Sequence, residues 1–182
     1  GNGRLVVPTL LEWGSEDQCA KYIPRTLTGE IRWAQGFSEP NAGSDLASLR
    51  TRAELVDNEW IINGQKIWST GADRATHMFM LVRTEPDASK HDGISYLFVD
   101  LKQPGVTIRP LQQMTRLPEF CEVFFDDARA DADDLIGERG KGWYVSRSTL
   151  KHERSGIGGL TWSLSMMRDL GRLARVRRRG GR

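Results

Sequence analysis

The sequence contains only two cysteines and three histidines, and it has no long run of apolar residues. Two cysteines form at most one disulfide, and neither Cys19 nor Cys121 has partners at the spacing of a zinc site. We therefore expect reduced, buried thiols and no metal, as in a protein of the bacterial cytoplasm or the mitochondrial matrix. A membrane helix needs about 20 consecutive apolar residues, so none is predicted.

Charge of one sign is also scarce, because 26 Lys and Arg residues stand against 24 Asp and Glu residues, giving a formal net charge of +2. So small an excess is not the basic surface typical of a nucleic-acid-binding protein. Much of it lies near the end of the chain, in Arg172, Arg175, Arg177, Arg178, Arg179 and Arg182. We interpret these arginines as the solvated side of a helix. The alternative is nucleic-acid binding, which would depend strongly on salt.

The composition is that of a globular protein, with 38% hydrophobic and 27% charged residues in 182. This length suffices for one ordinary domain with its own core, or for one domain that carries pieces of its neighbours. From Pro8 to about Glu30 the pattern is helical, and Ser15 and Gln18 have the spacing of a capping box. Pro24 is expected to end or restart that helix.

A different rhythm, of short runs rich in β-branched and aromatic residues, extends from Arg32 to about Asp127. Asp57-Asn58 is typical of a hairpin turn, and Asn63-Gly64 and Pro104-Gly105 mark further turns. Seven strands with little helix between them predict an antiparallel β-barrel or sandwich and exclude a doubly wound sheet. The predicted strands are Ile31–Phe37, Arg50–Val56, Glu59–Ile62, His77–Arg83, Ile94–Val99, Val106–Pro110 and Cys121–Phe125.

Beyond Gly142 the helical spacing returns. Apolar residues three or four positions apart form a single stripe, made of Ile157, Leu160, Leu164, Met167, Leu170 and Leu173. No further helix follows in the sequence to cover this stripe. We therefore expect either a truncated domain or an assembly surface.

The first cluster of unusual residues runs from Gln35 to Asp45, at the exit of the first predicted strand. Pro40 and Gly43 impose a tight backbone path, and Gly43 leaves room for a ligand to approach the main chain. Ser38 and Ser44 provide hydroxyl groups without adding charge. The residues alone fit either a structural turn or a binding loop.

The second cluster runs from Lys66 to Ala72 and is expected to close a strand. It combines a large aromatic residue, Trp68, with the hydroxyls of Ser69 and Thr70 before a small-residue turn. A single Trp in such a position most often belongs to a hydrophobic core. This cluster, too, has both a structural and a ligand-binding interpretation.

Taken together, at this separation and flanked by these strands, the two clusters resemble the paired flavin-binding segments of the acyl-CoA dehydrogenase family. The resemblance continues in the same order along nearly the whole chain. The further motifs are Gly64-Gln65-Lys66, Gly93-Ile94-Ser95, Pro104-Gly105-Val106, Glu122 to Asp127, Leu135 to Glu138, Gly142-Trp143 and Glu153-Arg154.

The resemblance implies an α+β chain with a β-barrel middle domain between two partial helical domains. Residues 1–30 would end the N-terminal helical domain, 31–132 would form the flavin- and acyl-CoA-binding β-barrel, and 133–182 would begin a truncated C-terminal bundle. The implied reaction is FAD-dependent α,β-dehydrogenation of an acyl-CoA, in which a carboxylate removes the α-proton and a hydride passes from the β-carbon to the flavin. The present piece alone is expected to be inactive.

The resemblance also assigns a cofactor site. Trp68 is expected to cover the ring face away from the substrate, and Thr70 to place its hydroxyl near the hydride-accepting nitrogen. Ser38, where family members more often have Thr, is expected to bond to the polar edge of the ring. Gly43 and Ser44 fall near the cofactor's linker and the phosphate-bearing arm of CoA. The residues implied in FAD binding are Gln35, Phe37, Ser38, Gly43, Ser44, Trp68, Ser69 and Thr70.

The catalytic base has two candidate positions. The family usually places it in later C-terminal helices, beyond Arg182, whereas a minority place it on the first long helix, where Glu153 stands. Glu153 is therefore either the base or a member of a structural ion pair. Ser44, His152, Glu153 and Arg154 are the residues implied in contacts with acyl-CoA.

The family resemblance implies an electron-transfer flavoprotein as electron acceptor and assembly into a homodimer or homotetramer. Two alternatives remain for the function. An acyl-CoA oxidase of the same superfamily would use the same ring site and let oxygen reach the reduced flavin. A non-catalytic relative could instead bind nucleic acid through its arginine-rich end.

Overall fold

A computed structural model describes residues 2–155 and 160–176. The helices are α1 (Gly3–Trp13), α2 (Glu16–Leu27), α3 (Gly142–Ser155) and α4 (Leu160–Val176). The strands are β1 (Trp33–Gly36), β2 (Arg52–Val56), β3 (Glu59–Thr70), β4 (His77–Arg83), β5 (Ile94–Asp100), β6 (Val106–Leu111) and β7 (Phe120–Asp131). Helices therefore flank a central β-region, as the hydrophobic rhythm predicted.

The helical pattern predicted from Pro8 to about Glu30 is confirmed, and the segment consists of two helices, α1 and α2. Pro8 lies inside α1, and the break falls at Gly14 and Ser15. The predicted capping box is confirmed, because the Ser15 hydroxyl accepts from the Gln18 N–H and the Gln18 side chain accepts from the Ser15 N–H. Pro24 does not end α2, which continues to Leu27.

The seven predicted strands are all present, but they form a curled, mixed sheet rather than a purely antiparallel barrel. The pairings run in the order β1-β4-β2-β3-β7-β6, with β5 on β4. β1 and β2 both pair with β4 in parallel, whereas the other pairings are antiparallel. The chain between β1 and β4 crosses from one strand to another through β2 and β3, which makes a parallel pairing possible.

Two turn predictions have opposite outcomes. Asp57 and Asn58 have φ angles of 49° and 68°, as the predicted hairpin turn between β2 and β3 requires. Asn63-Gly64 is not a turn, because β3 continues through it to Thr70. Gly64 instead marks an irregularity in the pairing with β7, with a φ of 150° and only 2.6 Å between a notional Cβ and the Thr51 Cα.

The hydrophobic core lies on both faces of the sheet. Alternating residues of β4 point to opposite faces, so Phe79 and Leu81 meet the helices while Met78 and Met80 face the interior of the curled sheet. On the helical face, the Thr9 and Thr149 hydroxyls hydrogen-bond at 2.9 Å and join α1 to α3. The helices and the sheet thus share one continuous core on that face.

The last described helix, α4, differs from the others because its large apolar side chains are exposed. The exposed members of the predicted stripe are Leu164, Met167, Leu170 and Leu173. Ile157, like Arg177, Arg178, Arg179 and Arg182, lies outside the described residues. Arg172 and Arg175 are exposed on α4.

The remaining sequence predictions concern the thiols and the membrane. Both cysteines are free; Cys121 is buried as expected, whereas Cys19 is only half-buried. Among the described residues, no helix is both long and apolar enough to cross a membrane.

Candidate functional site

A cavity of about 290 Å³ lies where the end of β1, the end of β3, the start of α1 and the end of α3 meet. Two groups of residues line it. The first, here called the strand wall, comprises Gln35, Phe37, Ser38, Ile67, Trp68 and Thr70. The second, here called the helix wall, comprises Asn2, Arg4, Leu5 and Glu153. The cavity therefore joins both predicted clusters to the predicted carboxylate.

The loop that leaves β1 supplies Phe37 and Ser38. Phe37 is buried, and its ring packs edge-on against Phe79 and Tyr96 at centroid distances of 5.8 and 6.0 Å. The Ser38 carbonyl accepts a hydrogen bond from the Ile67 N–H at 3.0 Å, which ties the loop to β3. The two halves of the strand wall are thus joined by their main chains.

The end of β3 presents Trp68 and Thr70 to the cavity. The pairing of β3 with β7 shifts between Lys66 and Ser69, and Trp68 has a φ of 60°, a backbone conformation that is unfavourable for a large side chain. This irregularity turns the indole outward, where it is 58% exposed and packs edge-on against Phe120. Strain of this kind is typical of functional sites.

Ser69 lies apart from its neighbours in the second cluster. Its side chain is completely buried on the opposite face of β3, where it pairs in register with Cys121. Its hydroxyl has no hydrogen-bond partner within the described part of the chain. The structure therefore does not bring Ser69 into the cavity.

Gly43 and Ser44 are exposed in the same loop as Ser38, but neither lines the cavity. A Cβ placed on Gly43 would meet no atom within 4 Å, so the main chain there is open to an approaching group. The next residue, Asp45, forms an ion pair with Lys90 at 2.7 Å. Hydrogen bonds from Lys90 and Ser48 hold the pKa of the Asp45 carboxyl below its usual value.

The three candidate residues at the end of α3 point to different surroundings. Glu153 is exposed and lines the cavity. Arg154 lines a separate groove that includes Glu12 and Trp13 of α1. His152 is half-buried and lines neither. Only Glu153 of the three therefore joins the strand-wall residues.

Sequence reasoning missed the contribution of α1 to the cavity. Arg4 and Leu5 lie on it, Asn2 directly precedes it, and the Asn2 amide donates to the Trp33 carbonyl at 3.1 Å. The local sequence offers little signal, since Asn2 does not cap α1 with its side chain. Their position follows from the packing of α1 on α3 and β1, which is a tertiary effect.

A buried ion pair supports the strand wall from behind and was also missed. The Lys66 ammonium, which is fully buried, lies 2.8 Å from the Glu39 carboxylate and 3.3 Å from the Phe37 carbonyl. Burial lowers the pKa of Lys66 to about 8, although attraction to Glu39 opposes this. Burial also raises the pKa of Glu39, but attraction and hydrogen bonds from Lys66, with those from Thr51 and Arg50, bring it below its usual value.

Size alone does not select this cavity, because a groove of about 700 Å³ lies between α2 and the end of β7. Its polar lining includes the carboxylates of Asp17, Asp131 and Asp133 together with Lys21. It contains no residue of the two predicted clusters. The smaller cavity combines aromatic, hydroxyl and carboxylate groups and is the better candidate for chemistry.

Comparison with known proteins identifies the family to which the residues of this cavity belong. The family description "Acyl-CoA dehydrogenase, middle domain" matches residues 34–128. The acyl-CoA dehydrogenase IpdE1 of Mycobacterium tuberculosis is 47% identical over 175 residues, which cover 96% of this chain and 45% of that protein. The acyl-CoA dehydrogenase FadE34 of the same organism is 45% identical over 152 residues, covering 84% of this chain and 21% of its own length.

A solved structure, the "Tcur3481-Tcur3483 steroid ACAD", superposes with a TM-score of 0.88 at 36% identity, covering 94% of this chain and 45% of that one. The chain thus spans less than half the length of these relatives. The family match covers residues 34–128 of 182, including most of the strand wall. With the identity extending over 96% of the chain, the protein belongs to the acyl-CoA dehydrogenase family.

Proposed function

We propose that this chain forms the flavin-ring part of an enzyme that catalyses FAD-dependent α,β-dehydrogenation of an acyl-CoA thioester. The observation that carries the proposal is a single cavity that gathers Ser38, Trp68 and Thr70 on one side and Glu153 on the other. Ring-binding groups and a carboxylate are the two components that this reaction needs from a protein. Family membership supports the same activity.

The residues of the strand wall fit a flavin ring. Such a ring needs uncharged hydrogen-bonding groups at its polar edge and apolar surfaces along its faces. Gln35, Ser38 and Thr70 can supply the first, and Phe37 and Trp68 the second. None of the described strand-wall residues is charged, and the two charged groups behind them, Lys66 and Glu39, are paired with each other.

Each strand-wall residue has a proposed role. Trp68 covers the ring face away from the substrate, with the indole held outward by the backbone at φ 60°. Ser38 bonds to the polar edge of the ring, and Thr70 lies near the atom that accepts hydride. Gln35 and Phe37 complete the lining.

Gly43 and Ser44, just outside the cavity, lie beside the cofactor's linker and the phosphate-bearing arm of CoA. Ser69, which faces the core, acts as support.

The bound flavin would supply the two-electron acceptor for the hydride that leaves the β-carbon. Glu153 is the proposed base that removes the α-proton, since its side chain lines the cavity opposite the ring-binding residues. Arg154 and His152, on the same turn of α3, are proposed to contact acyl-CoA. Arg154 would do so from the neighbouring groove, where Arg147 also lies.

The larger assembly is also proposed. Residues 1–30, 31–132 and 133–182 are assigned to the end of an N-terminal helical domain, the middle β-domain and the start of a C-terminal bundle. The complete enzyme would be a homodimer or homotetramer that passes electrons to an electron-transfer flavoprotein. Residues 1–182 alone are expected to bind FAD weakly and to turn over no acyl-CoA, because the apolar face of α4 is exposed within the described part of the chain.

The test substitutes Trp68→Ala and Thr70→Val in the full-length enzyme. Both variants should lose bound flavin during purification or reduce it more slowly with an acyl-CoA, because each removes a contact with the ring. The 36% identity to a steroid ACAD makes a steroid-derived acyl-CoA one substrate to include beside straight-chain thioesters. Thr107→Val is a matched control, since Thr107 is exposed on β6 and does not line the cavity.

Parent-like flavin content and parent-like reduction rates in both cavity variants would show that the ring does not bind there. A loss in Thr107→Val equal to that in Thr70→Val would attribute the effect to the sheet rather than to the site.

A further inference from the structure

The Lys66–Glu39 ion pair joins three segments of backbone behind the strand wall. Glu39 belongs to the loop that leaves β1, and Lys66 belongs to β3. The Glu39 carboxylate also accepts hydrogen bonds from the backbone N–H groups of Arg50 at 2.6 Å and Thr51 at 2.9 Å, at the entry to β2. One carboxylate therefore organises the loop, β2 and β3 at the same point.

Such a pair is expensive to bury, which makes its location informative. Removing two charges from water costs several kcal/mol per ion, and apolar side chains of similar size often stabilise a core equally well. Lys66 is fully buried and Glu39 is only 8% exposed, yet the Lys66 ammonium donates to two acceptors and the Glu39 carboxylate accepts from three donors. Stability alone gives a weak reason for a charged pair here.

The pair fixes one specific peptide unit. The Phe37 carbonyl accepts from the Lys66 ammonium, and the next carbonyl, that of Ser38, accepts from the Ile67 N–H. Ser38 is thus held on both sides by β3. Because the Phe37–Ser38 peptide is trans, the Ser38 N–H points away from the carbonyl that Lys66 holds. Ser38 itself lines the cavity.

The same lysine stands two residues before Trp68, at the irregularity in the β3–β7 pairing. Any movement of Lys66 would therefore change the spacing between Ser38 and Trp68, which are the two sides of the ring site. Among the described residues, Arg83 of β4 is a further charged group that interacts electrostatically with Glu39.

We propose that Lys66 and Glu39 are positioning residues for the flavin, which fix the Phe37–Ser38 peptide relative to Trp68 so that Ser38 meets the polar edge of the ring. This inference rests on the proposed flavin site. Neither residue lines the cavity. Their effect on the ring is therefore indirect, through the backbone of Ser38.

The experiment compares three variants of the full-length, flavin-loaded protein: Lys66→Met, Glu39→Gln, and the two substitutions combined. The dissociation constant for FAD, the visible spectrum of the bound flavin and the thermal midpoint of the apoprotein are measured for each. A single substitution leaves one buried charge unpaired and lowers the midpoint. The combined variant has no unpaired charge, and its midpoint should recover towards that of the parent.

The affinity for FAD should not recover together with the thermal midpoint in the combined variant. We expect the dissociation constant to rise about tenfold or more in Lys66→Met and in the combined variant, because both lack the bond to the Phe37 carbonyl. The visible band of the residual bound flavin should shift in both. Tyr22→Phe is the control for stability alone, since it removes a buried hydroxyl bond to Asp134, away from the cavity. Its FAD affinity should stay within about twofold of the parent.

Two results would overturn the inference. One is parent-like FAD affinity in the combined variant together with a recovered midpoint, which would make the pair purely structural. The other is a loss of affinity in Tyr22→Phe equal to that in Lys66→Met, which would make any loss of stability a sufficient cause. A parent protein that binds no FAD would instead refute the proposed function itself, and with it the site on which the pair acts.

Discussion

The two walls of the cavity are built in different ways. The strand wall comes from two short stretches of sequence that are joined by main-chain hydrogen bonds and supported by the buried Lys66–Glu39 pair. The helix wall brings Arg4 and Leu5 of α1, with Asn2 just before it, to Glu153 near the end of α3. The geometry of the proposed ring site thus depends on two short segments, whereas the position of the proposed base, Glu153, depends on how whole helices pack. Substitutions that affect one wall and spare the other can test this difference.

The largest effect is expected from Glu153→Gln in the full-length enzyme. Loss of the base should slow flavin reduction by an acyl-CoA about 10³-fold, while FAD remains bound because the strand wall is intact. Anaerobic rapid mixing, followed by flavin absorbance, measures this rate. A tenfold or smaller loss would remove Glu153 from the role of base and leave the structural ion pair as its explanation.

The second-largest effect is expected from a substitution that disturbs the packing of α3 on β5. A Cβ on Gly142 would lie 2.3 Å from the Ser95 carbonyl carbon and 2.4 Å from the Tyr96 nitrogen, both backbone atoms of β5. Gly142→Ala should therefore displace the start of α3 and cost about 1–3 kcal/mol in the free energy of unfolding. Gly43→Ala is the control, because nothing lies within 4 Å of its Cβ.

Denaturant unfolding of both glycine variants checks this expectation. Gly142→Ala should also slow flavin reduction more than it weakens FAD binding, because it moves the helix wall. Equal stability of the two variants would contradict the close contact between α3 and β5.

A smaller effect is expected from pH. The pKa of Lys66 is lowered by burial from an ordinary 10.5 to about 8. As pH rises through about 8, Lys66 loses its proton and its hold on the Phe37 carbonyl weakens, so FAD affinity should fall by about tenfold between pH 7 and 9. Titration of apoprotein with FAD across this range measures the change.

The pH dependence of stability distinguishes this loss of FAD affinity from unfolding of the protein. The unfolded chain keeps Lys66 protonated up to its ordinary pKa, so between about pH 8 and 10.5 the unfolded state binds more protons and rising pH favours the fold through this group. Loss of FAD above pH 8 without loss of apoprotein stability is the predicted pattern. The fall in affinity should be absent from Lys66→Met.

The smallest change in stability is expected from a substitution on α4. Met167→Ala in the 182-residue chain should change the free energy of unfolding by about 0.5 kcal/mol or less, because the Met167 side chain is exposed. Phe79→Ala, on the face of β4 that meets the helices, should lower the free energy of unfolding by about 3–5 kcal/mol. Thermal unfolding of both variants measures these changes. A large loss in Met167→Ala would show that α4 packs against the rest of this chain.

The sequence predicted the local features of the molecule well and the long-range ones poorly. All seven strands, the Ser15 capping box and the Asp57-Asn58 turn depend on neighbouring residues, and each is present. The parallel pairing of β1 and β2 with β4 was missed, because the alternation of residues within a strand does not reveal which strand lies beside it. The Asn63-Gly64 turn was wrong because Gly64 serves a close backbone approach inside β3.

The same division applies to the site. Short motifs were enough to place Ser38, Trp68 and Thr70 on one cavity. They did not distinguish Ser69, which the irregularity at Trp68 directs into the core, or Arg154, which lies across α3 from Glu153. Lys66 and Glu39 each stood inside a recognised motif, but nothing in their spacing indicated that they form a pair.

The central claim is that one cavity holds the flavin ring between the strand wall and Glu153. A crystal structure of the full-length protein with bound FAD and an acyl-CoA analogue tests it directly. We expect the ring in contact with Trp68 and Thr70, with Ser38 at its polar edge and the Glu153 carboxylate facing the α-carbon of the thioester. A ring bound elsewhere, or a different carboxylate at the α-carbon, would contradict it.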